Sequence, residues 1–245
     1  MKLGAQGKMF LRIAIAVDTI LTLLPYAIGG FFLLFTVVAI IAFRMAKKRR
    51  EAFRAVAESL NMSFSKKDPG LLKELGHFQL FSKGHGRKIS NVMQGRTRSA
   101  NVAIFDYDYR LGGNRSGGGS YSSSNVESKT VIAFQSPTLN LPAFSIRPEN
   151  LLDKWHNLSG YQDINFDSHP GFSDEYMLMG KDERTIRRLF TRDVLDYFQE
   201  HDGSYVEAGA GRLIFYRWPG TVKPDNIRAF MKDGFTVLNF FKRKG

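Results

Sequence analysis

The densest set of chemistry-bearing side chains lies between Asp163 and Tyr176. Asp163, Asp167, His169, Asp174 and Glu175 fall within 13 residues. Carboxylates beside a histidine suit metal-assisted hydrolysis, with Asp163, Asp167 and His169 as ligands or His169 as a general base. The spacing contains no HExxH pair and no complete EF-hand loop. Phe166, Phe172 and Tyr176 interleave with the polar residues. That pattern favours a packed loop in which Asp and Ser side chains cap backbone N–H groups and His169 precedes a proline turn. His77, His85, His156 and His201 are scattered along the chain, and there is no cysteine. A Gly-x-Ser-x-Gly elbow is absent too, so serine and cysteine nucleophiles have no recognisable frame. The sequence carries no cofactor motif and predicts a protein that is not an enzyme.

The elements around this stretch alternate in type. Phe78–Phe81, Lys88–Gln94, Asn101–Tyr109 and Thr130–Gln135 read as strands. In the third, Val102, Ile104 and Asp106 share one face, and Ala103, Phe105 and Tyr107 the other. Residues 111–128 form a Gly/Ser-rich tract that reads as a flexible hairpin loop. It lacks the Gly-Lys-Ser/Thr ending of a phosphate-binding loop. Further on, Leu151–Leu158 reads as helix and Tyr176–Met179 as a short strand. Apolar residues recur at helical spacing over Lys181–Glu200, where Thr191 can start a second helix. Tyr205–Ala208 and Arg212–Arg217 read as a hairpin around Gly209-Ala210-Gly211, and Pro224 opens a last helix. The predicted fold class is α+β: one N-terminal transmembrane helix, then a mixed cytoplasmic domain with an antiparallel sheet. Residues 61–245 form this domain, with lobes drawn at 61–150 and 151–245.

What holds these elements in place in the cell is an apolar run near the N-terminus. Tyr26 to Phe43 is 18 residues without a charge, and the uncharged stretch reaches back to Thr19. As a helix it is long enough to cross a hydrocarbon layer of about 30 Å. The run is too long for a signal-peptide core and ends in a basic cluster, as stop-transfer segments do. Residues 1–18 are expected at the membrane interface, 19–43 across the membrane, and 44–60 as a basic juxtamembrane helix. Gly29 and Gly30 form a candidate helix-packing face, although their spacing is not GxxxG.

The net charge of +12 is concentrated beside this run. Arg44, Lys47, Lys48, Arg49, Arg50 and Arg54 stand there with a single acid, Glu51. Anionic headgroups attract each such cation by about 1 kcal/mol, so these six are the expected lipid-binding residues. The same cluster outweighs Lys2, Lys8 and Arg12, which predicts the large domain on the cytoplasmic side. The absence of cysteine fits a reducing compartment. Helix-turn-helix, zinc-finger and RRM signatures are missing, and no nucleic-acid partner is expected.

Five blocks carry a resemblance: Ile104–Arg110, Thr130–Leu151, Gly160–Glu183, Ile186–Phe190 and Val206–Arg217. In this order they resemble a family of bacterial membrane-anchored proteins with no assigned activity. The resemblance spans roughly residues 75–240. It implies a bacterial origin and an anchored α+β domain, and it supplies no catalytic residue; with the charge asymmetry, the expected location is the bacterial inner membrane. The expected role is an accessory or scaffold subunit in a larger membrane protein complex. The alternatives are a tethered hydrolase using Asp163, Asp167 and His169, or an anionic-lipid sensor.

Overall fold

A computed structural model describes residues 5–112, 125–149 and 161–242. The chain divides into two compact units, Met1–Glu51 and Ala52–Gly245.

The first unit is helical. It belongs to α1 (Ala5–Ser59), a helix of 55 residues with Pro25 inside it. Among the described residues this is the helix long and apolar enough to cross a membrane, with a mean hydropathy of 2.4 in its apolar window. Between Leu21 and Met45 its large apolar side chains are exposed: Phe31 is 66 % exposed and Phe43 69 %. Thr22 and Thr36 return their hydroxyls to carbonyls of the preceding turn at Asp18 and Phe32. Such bonds satisfy a polar side chain where water is excluded.

The second unit is built on a nine-stranded sheet. Its strands are β1 (Ser63–Ser65), β2 (His85–Arg96), β3 (Asn101–Leu111), β4 (Asn125–Gln135), β5 (Phe144–Pro148), β6 (Gln162–Asp163), β7 (Tyr176–Gly180), β8 (Ser204–Gly209) and β9 (Arg212–Arg217). The order across the sheet is β1-β2-β3-β4-β9-β8-β5-β7-β6, with antiparallel neighbours throughout. The fold is α+β, as the sequence predicts. β4 pairs with β9 and β5 with β8, so one sheet draws on both sides of residue 150. Residue 150 is therefore no lobe boundary.

Both faces of the sheet are buried, which explains the near-continuous apolar run of β3. Val102 and Ile104 lie in one core with Ile132, Phe134 and Phe215. That face is covered by α4 (Pro170–Glu175), α5 (Glu183–Leu189), α6 (Arg192–Gln199) and α7 (Ile227–Lys242), together with Phe53 and Ala57 of α1. Gly234 lets α7 approach closely, since a Cβ there would stand 2.8 Å from Ile132 Cγ2. Ala103, Phe105 and Tyr107 lie in a second core on the opposite face, under α2 (Pro69–Glu74) and α3 (Gln79–Ser82).

Three expectations change. Phe78–Phe81 is not a strand: Gln79–Ser82 is α3, and Phe78, Leu80 and Phe81 all enter the second core. The Gly/Ser loop is shorter than 111–128, because β3 and β4 pair out to Leu111 opposite Asn125. Lys181–Glu200 is two helices with the second starting after Thr191, as expected, but Thr191 makes no side-chain cap to α6, whereas Asp182 caps α5 through the Thr185 N–H. The expected helix at Leu151–Leu158 lies outside the described residues.

Candidate functional site

Asp163 and Asp167 are exposed, one on β6 and the other in the turn that follows. His169 is largely buried and bonds on both sides. Its Nδ1 lies 2.9 Å from the Ser168 hydroxyl, and its Nε2 3.4 Å from Asp196 Oδ1 on α6. The Asp196 side chain is 48 % exposed, so this chain of groups is open to water rather than set in a pocket. Ser173 Oγ accepts the Phe166 N–H, and Asn165 donates to Asp163. Among the described residues no three His, Asp or Glu side chains come close enough to hold a metal ion. Asp163, Asp167 and His169 thus form no common site. Of the capping expected in this stretch, the bond from the Phe166 N–H to Ser173 is present, while Asp163 takes a side-chain amide.

The six basic residues occupy one stretch of α1. Arg44, Lys47, Lys48 and Arg54 are exposed, while Arg49 and Arg50 are half-buried. Lys47 lies 3.8 Å from Glu51, and the Arg54 guanidinium sits 5.4 Å from the centre of the Phe64 ring. A Cβ at Gly29 or Gly30 would meet nothing within 4 Å.

A cleft of about 460 Å³ opens under α2 at one end of the sheet. Strand register creates it. Ala103 pairs with Gln94 on one side and with Ala133 on the other. Two small side chains facing each other across neighbouring strands leave a hollow floor. One pleat further out, Arg96, Asn101, Gln135 and Arg212 are successive partners on four adjacent strands. At about 4.8 Å per strand this polar row spans roughly 14 Å. The far wall is α2. Asp68 caps it by accepting the Leu71 N–H at 3.0 Å, and its other oxygen takes Gln94 Nε2 at 3.1 Å. Glu74 lies 3.6 Å from the Arg212 guanidinium. Leu71 and Leu75 supply the apolar lining. The volume falls within the usual range for small-molecule sites. Nothing local in the sequence marks this cleft, because its only signal is the coincidence of small and polar residues in register.

Beside the cleft a buried carboxylate holds α3. Glu207 on β8 accepts the Gln79 and Leu80 N–H groups and lies 3.4 Å from the Tyr216 hydroxyl. Burial pushes its carboxyl up to about 7, against the hydrogen bonds from Gln79 and Leu80. Burial also pushes the Tyr107 phenol up to about 12, and its hydroxyl has no hydrogen-bond partner among the described residues. On the other face, Asp106 is buried and accepts Asn91 Nδ2 and Thr130 Oγ1, each at 2.9 Å.

Taken together, the chain is an α+β sheet domain that follows a helix able to span a bilayer. No protein-family model matches it, and no curated protein does. The crystal structure of the mycobacterial trehalose monomycolate transport factor A, TtfA, is similar, with a TM-score of 0.57. The match covers 82 % of this chain and 94 % of that one, at 17 % sequence identity. At this identity the likeness is one of fold.

Proposed function

We propose that the protein is a membrane-anchored accessory subunit. Its sheet domain works at the cytoplasmic surface of a bacterial inner membrane, within a larger membrane protein complex. The observation that carries this reading is the exposed apolar helix ending in a basic cluster, in a chain whose Ala52–Gly245 unit has its own two-sided core. One span cannot enclose a transport path, but it can hold a folded domain beside membrane partners. Arg44, Lys47, Lys48, Arg49, Arg50 and Arg54 then face anionic headgroups on the cytoplasmic side. The protein of similar fold is a mycobacterial transport factor, which is consistent with a membrane-associated accessory role. In this reading the domain acts by binding its partners.

Purification of the intact chain in mild detergent tests this. Stoichiometric membrane proteins should remain bound through size exclusion. Recovery of a clean monomer under the gentlest conditions, from cells that express the chain at native level, would count decisively against it.

A further inference from the structure

The cleft under α2 takes its polar row and its floor from one face of the sheet. Ala103 and Ala133 are cross-strand partners and form the floor. Asn101 and Gln135 lie two residues along the same strands, so their side chains leave the sheet on the same side. Leu71 and Leu75 close the cleft from the α2 side.

The charges of this cleft are spent on one another. Asp68 accepts the Leu71 N–H and Gln94 Nε2. Glu74 stands 3.6 Å from the Arg212 guanidinium. With the exposed Arg96, the lining carries two acids and two bases, so a charged ligand meets no net countercharge. The amides of Asn101 and Gln135 are unspent. They stand on paired strands about 4.8 Å apart. Both are exposed, and neither side chain has a hydrogen-bond partner among the described residues. Each amide offers two N–H donors and an acceptor oxygen. A hydroxyl both donates and accepts, so it pairs with either end of an amide. A neutral molecule rich in hydroxyls but with apolar C–H faces therefore matches the cleft. Its hydroxyls meet Asn101 and Gln135, and its C–H faces meet Ala103, Ala133, Leu71 and Leu75.

We propose that the cleft under α2 binds a neutral sugar, with Asn101 and Gln135 as its main hydrogen-bonding side chains. A volume of about 460 Å³ accommodates a mono- or disaccharide. The site lies wholly in the Ala52–Gly245 unit and does not depend on the accessory-subunit reading. Loss of partners in detergent and loss of sugar binding are separate results.

The full chain in phosphatidylcholine nanodiscs is titrated calorimetrically, with empty nanodiscs as the blank. The probes are glucose, galactose, mannose, maltose, lactose and sucrose. At least one should bind saturably, one per chain, and at least tenfold tighter than its permethylated form, which keeps the shape but has no hydroxyl donors. Inorganic phosphate and acetyl-tetraglycine amide should bind at least tenfold more weakly than that sugar. Asn101→Ala and Gln135→Ala change exposed side chains, and each should weaken the sugar at least fivefold while leaving the thermal unfolding of the domain unchanged. The methyl and octyl glycosides of the same sugar separate the two sources of such a group. Equal affinity assigns a free saccharide, and a tenfold gain for the octyl form assigns a glycolipid headgroup. No saturable binding by any of the six sugars would overturn the proposal. So would equal binding of the permethylated form, of phosphate or of the capped peptide, or unaltered binding in both alanine variants.

Discussion

Glu207 accepts a hydrogen bond from the backbone N–H of Leu80, a residue 127 positions earlier, at 3.0 Å. The same carboxylate takes the Gln79 N–H, so two of the unpaired donors that open α3 are satisfied from the sheet. Phe78, Leu80 and Phe81 are thereby held over Phe105 and Tyr107.

This contact makes stability depend on pH. Burial raises Glu207 from 4.5 to about 7 in the folded chain. A carboxyl raised on folding contributes stability that is full below the unfolded value and is lost as pH rises through the folded one. The loss from pH 5 to pH 9 is about 3 kcal/mol by proton linkage. Glu207→Gln carries no charge at any pH but has one acceptor oxygen in place of two. The variant should be less stable at pH 5 by about 1–3 kcal/mol. That deficit should shrink or reverse by pH 9. Urea unfolding at both pH values measures it, and a deficit independent of pH would rule the linkage out.

The Asp106 cluster gives a second expectation. Asn91, Asp106 and Thr130 are buried side by side, and Thr130 Oγ1 also accepts the Val222 N–H at 2.9 Å. Asp106→Ala strands two buried donors and should cost about 2–4 kcal/mol. Asp106→Asn keeps the shape and one acceptor, so it should cost less. Chemical denaturation that ranks the two variants in the opposite order would show that the cluster is not held by these bonds.

The β8–β9 hairpin closes through Ala210 and Gly211, with Gly209 opposite Arg212. Both loop residues have positive φ, +52° at Ala210 and +71° at Gly211. This is the left-handed pair that a type I′ turn requires, and alanine pays a steric penalty there. Ala210→Gly should stabilise the domain by roughly 0.5–1 kcal/mol and raise Tm by about 1–4 °C. A lower Tm would mean that the turn tolerates Ala210 without strain.

These three sites differ in how far the sequence discloses them. The β8–β9 hairpin is legible because its glycines lie between two apolar strands. The faces of β3 are legible because Val102 and Ile104 alternate with Ala103 and Phe105. α3 is not, since Phe78, Leu80 and Phe81 suit a strand locally and only Glu207, far along the chain, favours a helix. The cleft is hidden for a related reason. Ala103 and Ala133 are ordinary strand residues until register sets them opposite each other. Conversely, Asp163, Asp167 and His169 are conspicuous in sequence, yet closeness along a turn did not bring them to a shared centre.

The orientation of the chain is open to a direct measurement, because the chain has no cysteine. A single introduced thiol is then an unambiguous reporter. Glu200 ends α6 and is exposed, so Glu200→Cys should leave the fold intact. If the basic cluster keeps its side of the membrane in the cytoplasm, this thiol is shielded from an impermeant maleimide in intact spheroplasts and reacts once the membrane is opened. Replacing Arg44, Lys47, Lys48, Arg49 and Arg50 by Gln removes the charge excess over Lys2, Lys8 and Arg12. The balance then favours the N-terminal side, and a substantial fraction of the thiol should label in intact spheroplasts. Labelling of the unmodified-cluster chain before permeabilisation would place the sheet domain outside and overturn the cytoplasmic reading. Unchanged protection after the five replacements would instead show that something other than these charges, such as folding of the large domain before insertion, sets the topology.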